Sequence, residues 1–209
     1  MGRRAVSAEQ KDAKREAILR AARELFAEVP FERVTMIDVA RRCGIAKGTT
    51  YLYVRTKEEL FIALLREDYR EWVEALASEL ARPENRHSIP RVVALLARTL
   101  SERTELIRLI ALLHTTLERN VDAALPEEFA AEREEAAARI GTLFEENLTF
   151  LNPGEGALFV RRLHPIIVGH AVMAAGGDTF EAVAPALGEI VTVMLIGLKG
   201  RGQKFKIQN

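Results

Sequence analysis

The chain has 209 residues, 48% of them hydrophobic, and its 30 Lys+Arg are balanced by 30 Asp+Glu. That is long enough for a real core, and a net charge of zero argues against indiscriminate nucleic-acid binding. Its one cysteine, Cys43, rules out an intrachain disulfide.

The charge is unevenly placed. Residues 1–60 carry 13 Lys+Arg against 9 Asp+Glu, a net of +4 that leaves −4 for the remainder. A mildly basic head on a mildly acidic body suits a small DNA reader carried by a body that avoids DNA. Met1 to Arg15 is charged throughout, without the apolar core of a signal peptide. No apolar run reaches the ~18–20 residues a membrane span needs. The expectation is a soluble, cytoplasmic protein.

In chain order, residues 1–10 read as a loose arm, and a first helix runs from about Lys11 to Glu28 with Ile18, Ala22, Leu25 and Phe26 on one stripe. It ends at Val29-Pro30-Phe31, where proline cannot take a left-handed cap. Thr35 caps a second helix, with Asp38 three residues on. Ile37, Val39, Ala40 and Cys43 supply its apolar side, and Arg41 and Arg42 face water. Gly44 stops it, because a left-handed terminating residue favours glycine, and Ile45 locks the turn. Ala46 to Tyr53 is short, poor in bulky aliphatics and rich in hydroxyls. A helix built to pack does not look like that, whereas one lying in a DNA groove does. Thr56, with Glu59, caps a long helix to about Ala81 carrying Phe61, Leu65, Tyr69, Trp72 and Leu76 at helical spacing. Pro83 to His87 is a linker.

Everything after Ser88 reads as helix. The spans are about Ile89–Arg103, Thr104–Arg119, Pro126–Phe150, Asn152–Ala175 and Asp178–Leu198, with a loose basic tail from Lys199. The second of these is apolar nearly all round, which belongs at the centre of a bundle. Asn152-Pro153-x-Glu155 is a start signal, Pro165 predicts a kink, and Gly176-Gly177 a break.

With Arg15 to Leu65 around it, the Thr35–Lys57 stretch resembles the DNA-binding domain of the tetracycline-repressor (TetR) family of bacterial transcription regulators. The residues that carry the likeness are Ile18, Ala22, Leu25 and Phe26, then Thr35, Ile37, Val39 and Ala40, then Gly44, Gly48, Thr49, Tyr51, Tyr53, Lys57 and Leu60. The resemblance implies an all-α fold of about nine helices. Residues 1–55 would form a three-helix helix-turn-helix domain, 56–82 a connecting helix, and 83–209 a helical bundle for ligand binding and dimerisation. It carries DNA contact onto Thr35, Lys47, Gly48, Thr49, Thr50, Tyr51, Tyr53 and Lys57. Physical roles match: glycine lets backbone approach the duplex, threonines offer short hydrogen bonds or a methyl to thymine, and tyrosines reach phosphates. Three positions depart from the family's habit: Ala46 replaces a hydroxyl cap, Thr50 stands where an aliphatic is common, and Val54 replaces phenylalanine.

The same resemblance brings His114 near Trp72 and Phe144, as either a polar anchor in an apolar ligand pocket or a satisfied core histidine. Tyr69, Leu117 and Leu148 are further pocket candidates. It also puts the last two helices in a four-helix dimer interface, with His164, Ile167, His170, Ala171, Leu187, Val191, Met194 and Leu195 as contact residues. No metal-ligand spacing, nucleophile elbow, phosphate loop or dinucleotide fingerprint occurs, so no cofactor, metal or enzymatic activity is expected. The function implied is a homodimeric repressor released from a near-palindromic DNA operator by a small hydrophobic or amphipathic effector. The alternative is a partner protein of the same fold that has lost sequence-specific DNA binding.

Overall fold

The computed structural model describes residues 2–85, 88–119, 121, 124–175 and 182–204, with side chains over 10–84, 88–118, 121, 124–175 and 182–200. Among these residues there is no strand, and nine α-helices follow one another. The head holds α1 (Gly2–Glu28), α2 (Met36–Cys43) and α3 (Lys47–Thr50). α4 (Lys57–Leu80) leads into α5 (Ile89–Ser101), α6 (Thr104–Thr115) and α7 (Ala124–Asn147). α8 (Glu155–Ala175) and α9 (Val183–Lys204) close the body.

Local chemistry sets most of the boundaries. The Thr35 hydroxyl accepts the Asp38 N–H at 3.2 Å, and Gly44 takes φ 66°, the left-handed conformation that ends α2. The Ile45 amide then donates to the Ala40 carbonyl at 3.0 Å, fixing the turn. Thr56 caps α4 by accepting from Glu59 N–H at 3.0 Å, while the Glu59 carboxylate takes the Arg55 N–H at 2.7 Å. Pro30 stays extended and opens one 3-10 turn, Phe31–Arg33, which buries Phe31 against Phe61.

Some boundaries differ from the sequence reading. α1 begins at Gly2 because the supposed loose arm (Ala5, Ala8, Glu9, Gln10) is made of adequate helix formers. α6 stops at Thr115, and a 3-10 turn covers Leu117–Arg119. α9 runs to Lys204, through the stretch expected to be loose. The expected start of the last helix at Asp178, with Gly176, Gly177, Phe180 and Glu181, lies outside the described residues, as do Arg86 and His87 of the linker.

The head core is built by Ile18, Ala22, Phe26, Val39 and Leu60, all nearly inaccessible. Phe26 and Phe31 both meet Phe61 of α4 edge to face, at 5.2 and 4.8 Å. The Arg108 guanidinium of α6 lies 4.1 Å over the Phe26 ring, and Arg23 of α1 pairs with Glu67 and Asp68 of α4. Head and body are therefore packed on one another through α4 and α6. α7 and α8 cross with backbones touching at Gly141 and Gly156, and α9 packs on α5 and α8.

α8, and α9 over Val183–Gly200, are long and apolar enough by length and composition to cross a membrane. This corrects the expectation that no segment qualifies. Helix averages tolerate the scattered charges, such as Arg161 and Arg162, that interrupt an apolar run.

Candidate functional site

α3 is a single turn of helix, and its hydrogen bonds continue as tight turns through Val54. Lys47, Gly48 and Tyr51 are exposed, and Thr49 and Tyr53 are half-buried. A Cβ on Gly48 would meet nothing within 4 Å among the described residues, so the backbone there is open to close approach. Lys47 lies 5.9 Å from the Tyr51 ring centre, and Thr35 stands at the N-terminus of α2. This is a compact polar and aromatic surface with cationic edges.

Two expected contacts do not belong to that surface. Thr50 is completely buried, and its hydroxyl donates to the Lys47 carbonyl at 2.6 Å. It occupies the inward position where an aliphatic would serve, with its hydroxyl satisfied by its own helical turn. Lys57 is half-buried and directs its ammonium at the Phe31 carbonyl, 3.0 Å away, and over the Phe31 ring at 3.9 Å. Here it clamps α4 to the head's first turn. Two side chains that sequence reasoning missed are exposed instead. Leu52 is 76% exposed, and Ile37, expected on the apolar side of α2, is 49% exposed.

The enclosed apolar cavity of the body lies between α4, α7 and α8, with Leu96 of α5 and Ile110 of α6. Tyr69, Trp72, Val73 and Leu76 form its α4 wall, Ala136, Ile140 and Phe144 its α7 wall, and Val160, Leu163, His164 and Ile167 its α8 wall. The cavity is about 30 Å³, room for little more than a water. A larger concavity of about 660 Å³ lies between the head and the start of α7, but it is open and walled by Arg15, Arg55, Arg66, Arg70 and glutamates. Apolar walls and fuller enclosure distinguish the smaller one from the open, charged concavity.

Of the expected pocket residues, Tyr69, Trp72 and Phe144 line this cavity, and Trp72 donates its indole N–H to Thr99 at 3.2 Å. Leu117 and Leu148 are buried but lie outside its walls, as plain core. His114 also lies outside. Its Nδ1 is 3.4 Å from Glu118, its Nε2 is buried with no hydrogen-bond partner among the described residues, and its ring is 6.2 Å from His164. His164, expected at a dimer interface, is the imidazole that reaches the cavity. Burial first, then Arg133 and His114, push it down to about 4, so it is neutral at pH 7.

The dimer expectation needs a similar change of phase. Ile167, Ala171, Leu187, Val191 and Leu195 are buried within their own chain, where α8 meets the cavity and α9 packs on α5. His170 and Met194 are half-buried. The outward apolar side chains of these helices are Leu158, Met173, Val193 and Ile196.

Known proteins match both parts of the chain. The family profile described as bacterial regulatory proteins, tetR family, matches residues 18–64, and that of the tetracyclin repressor-like C-terminal domain matches 66–185. The fatty acid metabolism regulator protein of Bacillus subtilis is 32% identical over 71 residues, 34% of this chain and 37% of that protein. An HTH-type transcriptional repressor of Mycobacterium tuberculosis is 37% identical over 73 residues, 35% of this chain and 38% of its own length. Each match spans little more than a third of the curated relative. Among solved structures, a regulator from Mesorhizobium loti superposes with a TM-score of 0.63 at 18% identity, over 88% of this chain and 97% of that one. The transcriptional regulator FadR from Bacillus subtilis, in complex with stearoyl-CoA, superposes at 0.59 and 18% identity, over 85% and 97%. At such identities these structures share the fold alone.

Proposed function

The chain belongs to the tetR family of bacterial transcription regulators, and from that membership we propose a cytoplasmic, homodimeric repressor released from DNA by a hydrophobic or amphipathic small molecule. Residues 1–55 are the reading head, 56–82 the connecting helix, and 83–209 the ligand-binding and dimerisation body. Each head lays Lys47, Gly48, Thr49, Tyr51 and Tyr53 in the major groove of one half of a near-palindrome. Thr35 holds a flanking phosphate at the α2 N-terminus. Half-sites lie about one helical turn apart, ~34–36 Å, or further for longer operators.

The observation that carries this reading is the run of α4. It is one helix of 24 residues, capped by Thr56 directly after the recognition turn, and its middle supplies four residues of one wall of the cavity. At ~1.5 Å per residue it spans about 36 Å without a break. A cavity of about 30 Å³ must widen to admit an effector, and the α4 wall carries the head with it. Arg23 on Glu67 and Asp68, and Arg108 over Phe26, transmit that shift to α1. An effector changes DNA affinity only by the difference in its affinity for the two states. A structural neighbour solved with stearoyl-CoA favours an acyl-chain ligand as the first to try.

The rival reading, a partner protein without DNA specificity, leaned on Ala46 and Thr50. Burial of Thr50 removes one of those grounds, since that position faces the core. The effector half of the proposal is tested by operator binding in fluorescence anisotropy while stearoyl-CoA and other amphipaths are titrated. Operator affinity should fall at least fivefold with a ligand that binds the body. A ligand that binds the body and leaves operator affinity untouched contradicts the mechanism.

A further inference from the structure

Large apolar side chains stand exposed in only two places among the described residues. Leu158, Met173, Val193 and Ile196 are on α8 and α9, and Ile37, Tyr51 and Leu52 are in the helix-turn-helix. The second group is out of keeping with its surroundings. The head hides its other large aliphatics, yet Leu52 is 76% exposed and Ile37 49%.

Backbone geometry fixes where Leu52 points. Its N–H bonds to the Thr49 carbonyl at 3.2 Å, and the next two N–H groups bond to Thr50, so the chain is still winding helically. At ~100° per residue, Leu52 lies about 200° from Thr50. Thr50 is the residue buried in the head core. Leu52 therefore projects from the opposite, outward side of the recognition turn. Lys47 on the same turn, and Arg41 and Arg55 on the flanking segments, are exposed cations. Cations suit phosphates. An exposed apolar side chain suits the one apolar group on a major-groove edge, the C5-methyl of thymine.

We propose that Leu52 is a specificity-determining residue that reads a thymine methyl in each half-site, with Ile37 reading a second one from the first turn of α2. The inference rests on the DNA-reading function proposed above and adds what the head selects. Thr49 and Tyr51 supply polar contacts on the same turn, so base choice comes from a mixture of hydrogen bonds and methyl packing. Thymine is discriminated from cytosine at the Leu52 position, because cytosine offers an amino group and no methyl there.

The test uses the full-length protein and the duplex it enriches from a random pool. Each thymine of that duplex is replaced in turn by deoxyuridine, which removes only the methyl. The wild type should lose about fourfold in affinity per half-site at the thymine under Leu52, the factor expected for one buried methyl. Leu52→Ala should bind the thymine and uracil duplexes equally at that position and keep its sensitivity elsewhere. Ile37→Ala should erase sensitivity at a different thymine. Both side chains are exposed, so circular dichroism and the melting midpoint should match the wild type. An enriched duplex with no uracil-sensitive thymine, or a Leu52→Ala protein that keeps the wild-type pattern, overturns this inference and leaves the reading head standing. Failure to enrich any duplex overturns both.

Discussion

Gly141→Ala is the substitution for which two simple expectations disagree in sign. Gly141 lies inside α7, and replacing a helical glycine by alanine stabilises an exposed helix by about 1 kcal/mol. Here a Cβ would stand 2.3 Å from the Ala157 amide nitrogen, 2.5 Å from its Cα and 2.7 Å from the Gly156 carbonyl carbon. All three are backbone atoms of α8, so no side chain is free to swing away. The helices must part by several tenths of an ångström or more, against two hydrogen bonds that hold them together. The Glu145 carboxylate accepts the Gly154 and Gly156 N–H groups at 2.8 Å each, capping α8 from α7. Overpacking costs about 1–3 kcal/mol and a backbone clash belongs at the upper end, so the net destabilisation should be about 2 kcal/mol. For a chain of this size that is a fall of about 4–8 °C in melting midpoint. Gly188→Ala is the control. Its Cβ would meet Val93 at 3.7 Å and Ala97 at 3.8 Å, ordinary contacts, so the midpoint should rise. Both are read by thermal and urea unfolding at one protomer concentration, since the proposed dimerisation would contribute to apparent stability. A Gly141→Ala protein as stable as the wild type would refute the close crossing of α7 and α8.

Other substitutions test other parts. Thr50→Val should leave the enriched operator and its affinity unchanged and shift stability by no more than about 1 kcal/mol, since it loses one local hydrogen bond; a changed base preference would return Thr50 to the reading surface. His164 sits at about 4 in the folded chain against about 6.5 unfolded, so the unfolded state binds the extra proton between those values. The stability this neutral imidazole contributes is therefore present above pH ~6.5 and lost as pH falls toward 4. Urea midpoints between pH 7 and 4.5 should fall further in the wild type than in His164→Gln, and identical slopes would count against its burial beside Arg133 and His114. Val193→Arg and Met173→Glu, at 71% and 80% exposure, should keep the fold yet shift the protein to monomer in light scattering, and weaken operator binding. A dimer that survives both places the interface elsewhere.

Sequence reasoning did best where a single residue controls the backbone. Thr35, Gly44 and Thr56 act through their own hydroxyls or missing Cβ, so caps and turn were readable without knowing the packing. It did worst where helix phase decides. α8 and α9 are apolar on more than one side, and periodicity cannot say which side meets the chain's own core. Leu187, Val191 and Leu195 were thus read outward when they pack inward, and Val193 and Ile196 were overlooked. His164 shows the same ambiguity, because the family resemblance puts it at the dimer interface while its own direction is the cavity. Thr50 was expected at the DNA because of its hydroxyl, whereas a threonine bonded to its own helical turn buries easily.

The central claim is that the helix-turn-helix reads a specific duplex as a dimer. Its most direct measurement is selection of random or genomic DNA by the purified protein at near-physiological salt, beside Tyr51→Ala. The account predicts a near-palindromic site that the wild type enriches and Tyr51→Ala does not, with affinity falling steeply as salt rises. Equal recovery by both proteins, or no enriched site with or without an effector, would contradict it.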